Sequence, residues 1–242
     1  MAAPNLIPLY LYLGDPLPPP QYLYDYVLAR QGIVKRIETR AVAAELLLAP
    51  IEAELIGLHL QPYPLRPFRL KLPRIPGRLL QAVLADAGHT MGLEVVYHVR
   101  FEADQGWYVT RPDQSQGRTR VGWDETNQAD IILELHSHHT MPAFFSETDD
   151  RDERGGRLYG VMGKLDTAQP QLVLRQGLYG HWLHNIPALT LFDDLGPFID
   201  TYTGAANGYS VGFDGAGRIE PDDLTEIESR WSFAQLFRRR SP

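Results

Sequence analysis

His136, His138 and His139 follow a short apolar run, and Ser146 and Asp149 come a few residues later. Alternate residues of a strand point to the same side. His136 and His138, at the end of a strand over Ile131–Leu135, would therefore present two imidazoles to one point. Zinc takes imidazole nitrogen at about 2.0–2.1 Å and carboxylate oxygen at about 2.0–2.2 Å. Two histidines and one carboxylate leave a fourth tetrahedral position for water, the open arrangement of a catalytic site, and such a water is hydroxide-like near neutral pH. A carboxylate outside the ligand set must then take and return the proton.

The spacing His-x-His-x7-Ser-x-x-Asp over residues 136–149 is similar, at every fixed place, to the JAMM (MPN+) signature of Mov34/PAD-1-type zinc metalloproteases. From the chain's 8 His, 7 Ser and 17 Asp, about 0.0005 such matches arise by chance. The resemblance implies one zinc ion (Zn2+) per chain, held by His136, His138 and Asp149, with Ser146 assisting the tetrahedral intermediate. It also implies a glutamate, on a strand just after the first helix, as general acid and base. Glu94 occupies that place. Glu102 and Glu134 lie nearby, and Glu134, two residues before His136, could share the histidines' face. Many relatives carry proline after the second histidine, where this chain has His139.

Over residues 68–195 the resemblance implies a JAMM-like (cytidine-deaminase-like) mixed β-sheet flanked by helices, an α+β or α/β fold. The implied activity is that of a zinc metallopeptidase cutting an amide or isopeptide bond at the C-terminus of a ubiquitin-like protein or its conjugate. Water activated at the zinc is the implied nucleophile. The long N-terminal segment resembles the layout of the bacterial PRTRC system, which implies an E1-like ThiF-related protein as a further partner. The competing reading is a non-catalytic MPN-type interaction module, although a scaffold has no need of an open metal position. Cytidine-type deaminases want a Pro-Cys-x-x-Cys, and this chain has no cysteine; a metallo-β-lactamase pattern would need Asp at Thr140.

The elements that must position these residues are legible in part. Phe68, Leu70 and Leu72 alternate with Arg69 and Lys71, a half-buried strand. Leu79, Leu80, Val83, Leu84 and Ala87 have helical spacing, with Pro76 ahead and Gly88 behind. Leu93–Phe101 and Trp107–Thr110 read as strands joined by the turn Ala103–Gly106, followed by a polar loop over Pro112–Arg120. Leu158–Leu165 and Leu172–Leu178 are further strand candidates. Residues 1–67 read as a small α/β appendage, with a helix over Tyr22–Arg30 and extended segments over Ile33–Ile37 and Val42–Leu48. Residues 196–242 form a C-terminal extension, with a helix expected over Asp222–Phe237 and a basic end at Arg238–Arg240.

Other chemistry-bearing residues carry plainer readings. Ser146, followed by Glu147 and Asp149, looks like a helix N-cap with acids in the first turn. The acidic run 147–153 reads as a solvated helix face, with Asp150 solvated. His181 and His184, three apart, have the spacing of a helical metal pair, but without a nearby carboxylate motif they read as packing or surface residues. Met141–Phe145 reads equally as a groove wall or as core.

Composition bounds the class. With 44% hydrophobic and 22% charged residues, the 242-residue chain has apolar mass for a core, against bulk disorder. A net charge of −7 argues against a nucleic-acid surface; residues 71–195 carry 12 basic and 17 acidic groups. The apolar stretch Leu6–Leu13 ends at Gly14 and falls short of the roughly 20 residues a membrane helix needs. The first basic residue is Arg30, against a secretory signal with a charged start. Together with the lack of cysteine, these features predict a soluble, cytoplasmic protein without a membrane partner.

Overall fold

Two sheets share one apolar core. A computed structural model describes residues 7–51, 58–90, 92–116, 121–123, 128, 130–201 and 211–213. The helix expected over Asp222–Phe237 and the arginines 238–240 lie outside the described residues, as does part of the polar loop 112–120.

The N-terminal sheet runs in sequence order: β1 (Leu9–Leu11), β2 (Asp25–Ala29), β3 (Gly32–Glu38), β4 (Val42–Ala49) and β5 (Phe68–Leu70). β1 is parallel to β2 and the remaining pairs are antiparallel. β2 overturns the helix expected over Tyr22–Arg30, so the described part of this segment is built of strands. Its short apolar run has no helical signature of its own and is decided by pairing with β3 across a tight hairpin, Ala29 opposite Gly32. Gly32 has φ 137° and a Cβ there would lie 2.0 Å from the Ala49 carbonyl oxygen, so only glycine fits. Arg36 spans the β2–β3 pair and binds buried Asp25 with Nε at 2.8 Å and Nη2 at 2.6 Å. β5 adds Phe68–Leu70 to this sheet beside β4, so the strand expected there is present.

The chain then forms α1 (Gly77–Gly88), β6 (Val96–Glu102), β7 (Gly106–Thr110), and a two-stranded ribbon of β8 (Gln114–Gln116) with β9 (Val121–Trp123). Next come β10 (Leu133–Ser137), α2 (Glu147–Asp152), β11 (Leu158–Gly163), β12 (Gln171–Gly177), β13 (His181–Leu183), α3 (Ala188–Leu191), β14 (Ile199–Asp200) and β15 (Val211–Phe213). The second sheet has the order β15-β13-β12-β11-β10-β6-β7, with β14 also on β12. β10 is an interior strand of this sheet, antiparallel to β6 and parallel to β11. The result is the α+β class with a mixed sheet that the sequence predicts.

Register makes the two faces of this sheet unlike. On one face the rows read Val99, Leu133, Leu158 and Tyr97, Leu135, Gly160, Leu174. These join the core with Leu80, Val83 and Ala87 of α1 and with Ile37, Val42, Ala44 and Leu46 of the N-terminal sheet. Burial of each large side chain contributes about 1.5–3 kcal/mol. The opposite face carries His98, Glu134, Tyr159 and Arg175 in one row and Val96, His136, Val161 and Val173 in the next. The N-terminal sheet is also bolted to the second by Lys35, whose Nζ donates to the Tyr179 carbonyl at 2.8 Å and lies 4.0 Å from the Tyr24 ring centroid. Among the described residues no helix is long and apolar enough to cross a membrane.

Because Leu135 is buried on the strand that carries the histidines, Leu135→Ala is expected to cost about 2–5 kcal/mol. Urea denaturation of the two proteins checks this; a loss under 1 kcal/mol would place β10 outside the core.

Candidate metal centre

The alternation of β10 builds the centre. Leu133, Leu135 and Ser137 turn into the apolar face, leaving Glu134 and His136 on the other. The ladder continues past the strand, where the His138 N–H donates to the Met162 carbonyl at 2.7 Å. Both imidazoles are buried, and their Nε2 atoms lie 3.3 Å apart.

The carboxylate arrives by a different local rule. Ser146 caps α2, its Oγ accepting the Asp149 N–H at 3.3 Å, while Asp149 Oδ2 accepts the Ser146 N–H at 2.6 Å. This reciprocal cap requires its two side chains three residues apart, which accounts for the x-x between serine and aspartate. It occupies Oδ2 and leaves Oδ1 facing His136 Nε2 at 3.5 Å.

These donors fit a tetrahedral cation. Bonds of about 2.0–2.1 Å set the ligand atoms about 3.3–3.4 Å apart, close to the 3.3 Å and 3.5 Å observed. All three side chains offer a ligand atom within 4.8 Å of one another. Metal binding needs neutral imidazoles. Burial supplies them, pushing His136 down to about 4 and His138 below its ordinary value, with Asp149's charge opposing in both cases.

Glu94 is buried in the approach to β6, ahead of the strand it was expected to open. Burial raises its carboxyl to about 7, and the nearby charge of Asp149 adds to the effect. The segment around it is clasped by the alternate residues of the histidine run. The Val95 N–H donates to Ser137 Oγ at 3.1 Å and the Val95 carbonyl accepts the Ser137 N–H at 3.0 Å. The Leu93 carbonyl accepts from His139 Nε2. His139 therefore points at the chain flanking Glu94, and its backbone has φ 46°, a conformation closed to proline. That is a physical reason for the departure from proline after the second histidine. Glu102 lies at the far end of β6 and accepts from the Tyr108 hydroxyl at 2.5 Å. Glu134 shares the histidines' face as expected but accepts from Arg157 Nη1 at 3.3 Å.

The loop after the histidines is drawn tightly over the end of β11. The Met141 N–H donates to the His138 carbonyl at 2.9 Å, and the Met141 carbonyl accepts from Lys164 at 2.7 Å. A Cβ on Gly163 would lie 2.3 Å from the Ala143 nitrogen, so the approach requires glycine. Met141–Phe145 serves both readings given to it. Phe144 is exposed, with its ring edge-on to His138 at 4.8 Å, while Phe145 lies 3.9 Å from the Arg175 guanidinium.

Two expectations fail on the acidic run. Asp150 is paired with Arg175 rather than simply solvated, and Glu153 is buried with its Oε2 2.7 Å from Arg175 Nη2. Burial pushes the Glu153 carboxyl up, and the guanidinium pulls it back. Sequence reasoning missed Glu153 because its partner sits on β12, beyond local spacing. His181 and His184 are not on a helix: β13 takes in His181, whose Nδ1 lies 3.2 Å from Lys35 Nζ.

Residues 78–175 match the family model described as prokaryotic homologs of the JAB domain. The match runs from α1 into β12 and takes in Glu94, His136, His138, Ser146 and Asp149. No curated protein matches the chain significantly.

The raised Glu94 value gives a pH test in the metal-free protein. A carboxyl lifted from 4.5 to about 7 favours the folded state fully below pH 4.5, and that contribution is lost as pH rises through 7. Wild type is thus expected to lose stability relative to Glu94→Gln across that window, read from urea midpoints at each pH. A constant difference between the two proteins contradicts the placement of Glu94.

Proposed function

We propose that the chain is a zinc-dependent hydrolase of amide or isopeptide bonds, acting at the C-terminal tail of a ubiquitin-like protein or its conjugate. The observation that carries this is the set of three donors with ligand atoms within 4.8 Å of one another, beside a buried carboxyl that is not one of them. His136, His138 and Asp149 would hold the zinc. Bound there, zinc supplies Lewis acidity, polarising a carbonyl and lowering the pKa of a coordinated water.

The chain's own groups do the rest. A Glu94 carboxylate oxygen takes a proton from the attacking water and returns it to the leaving nitrogen; a carboxyl near 7 is suited to both transfers at neutral pH. The Ser146 Oγ accepts within the helix cap, which leaves its hydrogen to donate to the oxyanion that develops on the scissile carbonyl. Phe144 and Met141 offer exposed apolar surface at the mouth. An extended peptide laid along a sheet edge would gain main-chain hydrogen bonds. In this reading an E1-like ThiF-related protein is a further partner.

The test uses zinc-loaded protein and a ubiquitin-like protein carrying a fluorogenic amide at its C-terminus. Wild type is expected to hold about one zinc and release the fluorophore, Asp149→Ala to hold little zinc, and Glu94→Gln to keep its zinc. Glu94→Gln is expected to lose about 10²–10⁴-fold in rate. Equal rates for wild type and Glu94→Gln would remove Glu94 from the reaction. Bound zinc without hydrolysis of any such amide would replace the hydrolase with a metal-bearing scaffold.

A further inference from the structure

His136 meets a carboxylate at each ring nitrogen. Nε2 lies 3.5 Å from Asp149 Oδ1 and Nδ1 lies 3.7 Å from Glu153 Oε1. Both carboxylates come from one helix and its C-cap, four residues apart, and the Glu153 N–H donates to the Asp149 carbonyl at 2.8 Å. The capped helix that aims Asp149 at the metal position therefore also brings Glu153 behind the first ligand.

Glu153 is held from three directions. Its Oε2 accepts from Arg175 Nε at 2.9 Å and Nη2 at 2.7 Å. Its carbonyl accepts from Trp182 Nε1 at 2.9 Å. The Arg175 side chain is 0% exposed, and its guanidinium lies 3.9 Å from the Phe145 ring centroid and 4.8 Å from that of Trp182. With Oε2 taken by two donors, Oε1 is the oxygen left for His136.

An imidazole that gives Nε2 to a cation must carry its hydrogen on Nδ1, and an acceptor behind the ring selects that tautomer and fixes the ring's orientation. We propose that Glu153, anchored by Arg175, is a positioning residue for the metal ligand His136, accepting the Nδ1 hydrogen so that Nε2 offers its lone pair to the ion. This rests on the metal-site reading above and adds a residue that the His-x-His-x7-Ser-x-x-Asp pattern does not contain. A buried ion pair serving the fold alone would leave the metal affinity of the folded protein unchanged.

Glu153→Gln reverses the device at constant shape. Arg175 offers only donors, so it holds the amide oxygen and turns the amide NH2 toward Nδ1, favouring hydrogen on Nε2, where zinc must bind. Zinc affinity is measured by competition with a chromogenic chelator, with circular dichroism of the metal-free proteins as the check on folding. Glu153→Gln is expected to bind zinc about 10–100-fold more weakly than wild type. The double variant Glu153→Leu with Arg175→Met removes the carboxylate without leaving a buried charge, and the same weakening is expected. Wild-type affinity in either folded variant overturns the inference. A wild type that takes no zinc overturns the metal-site reading itself, a separate result.

Discussion

The structure depends on one constraint at β10, which must bury alternate residues in the core while its other residues form the centre. Leu133, Leu135 and Ser137 are all but fully buried on one side; His136 and, one step beyond the strand, His138 face the other. A slip of one residue would send the imidazoles into the core and the leucines into the site. The apolar face, packed under α1 and the N-terminal sheet, thereby fixes the register of the ligands. The geometry of the histidine pair here is a by-product of hydrophobic packing, and its position is as secure as the core beneath it.

The second device is α2. It contains six residues with no buried side chain of its own, so packing does little to hold it. Polar contacts at both ends hold it instead. The Ser146–Asp149 box closes its start, and Arg175 grips Asp150 and the C-cap residue Glu153. The cap box and the Arg175–Glu153 contact each also hold a carboxylate near His136. Removing either end would therefore be felt first at the ligands and only then in the global stability.

The centre was legible in the sequence because its rules are local. Strand alternation at His136–His138 and the cap spacing at Ser146–Asp149 span two and three residues, and α1 announces itself through Leu80, Val83 and Ala87. What escaped reading is set by pairing across long sequence separations. Residues 25–29 become a strand through β3, and Glu153 and Asp150 meet an arginine on β12. His139 likewise reaches back to Leu93, a contact at one end of the antiparallel β6–β10 pair that no spacing within either segment encodes.

The central claim is that two imidazoles and one carboxylate close on a single ion. X-ray absorption at the zinc edge of the loaded protein measures this most directly. The account predicts a four-coordinate ion with two imidazole shells at about 2.0–2.1 Å and the remainder oxygen, with one imidazole lost in His138→Ala. A zinc surrounded by oxygen alone, or a spectrum unchanged in His138→Ala, would contradict it.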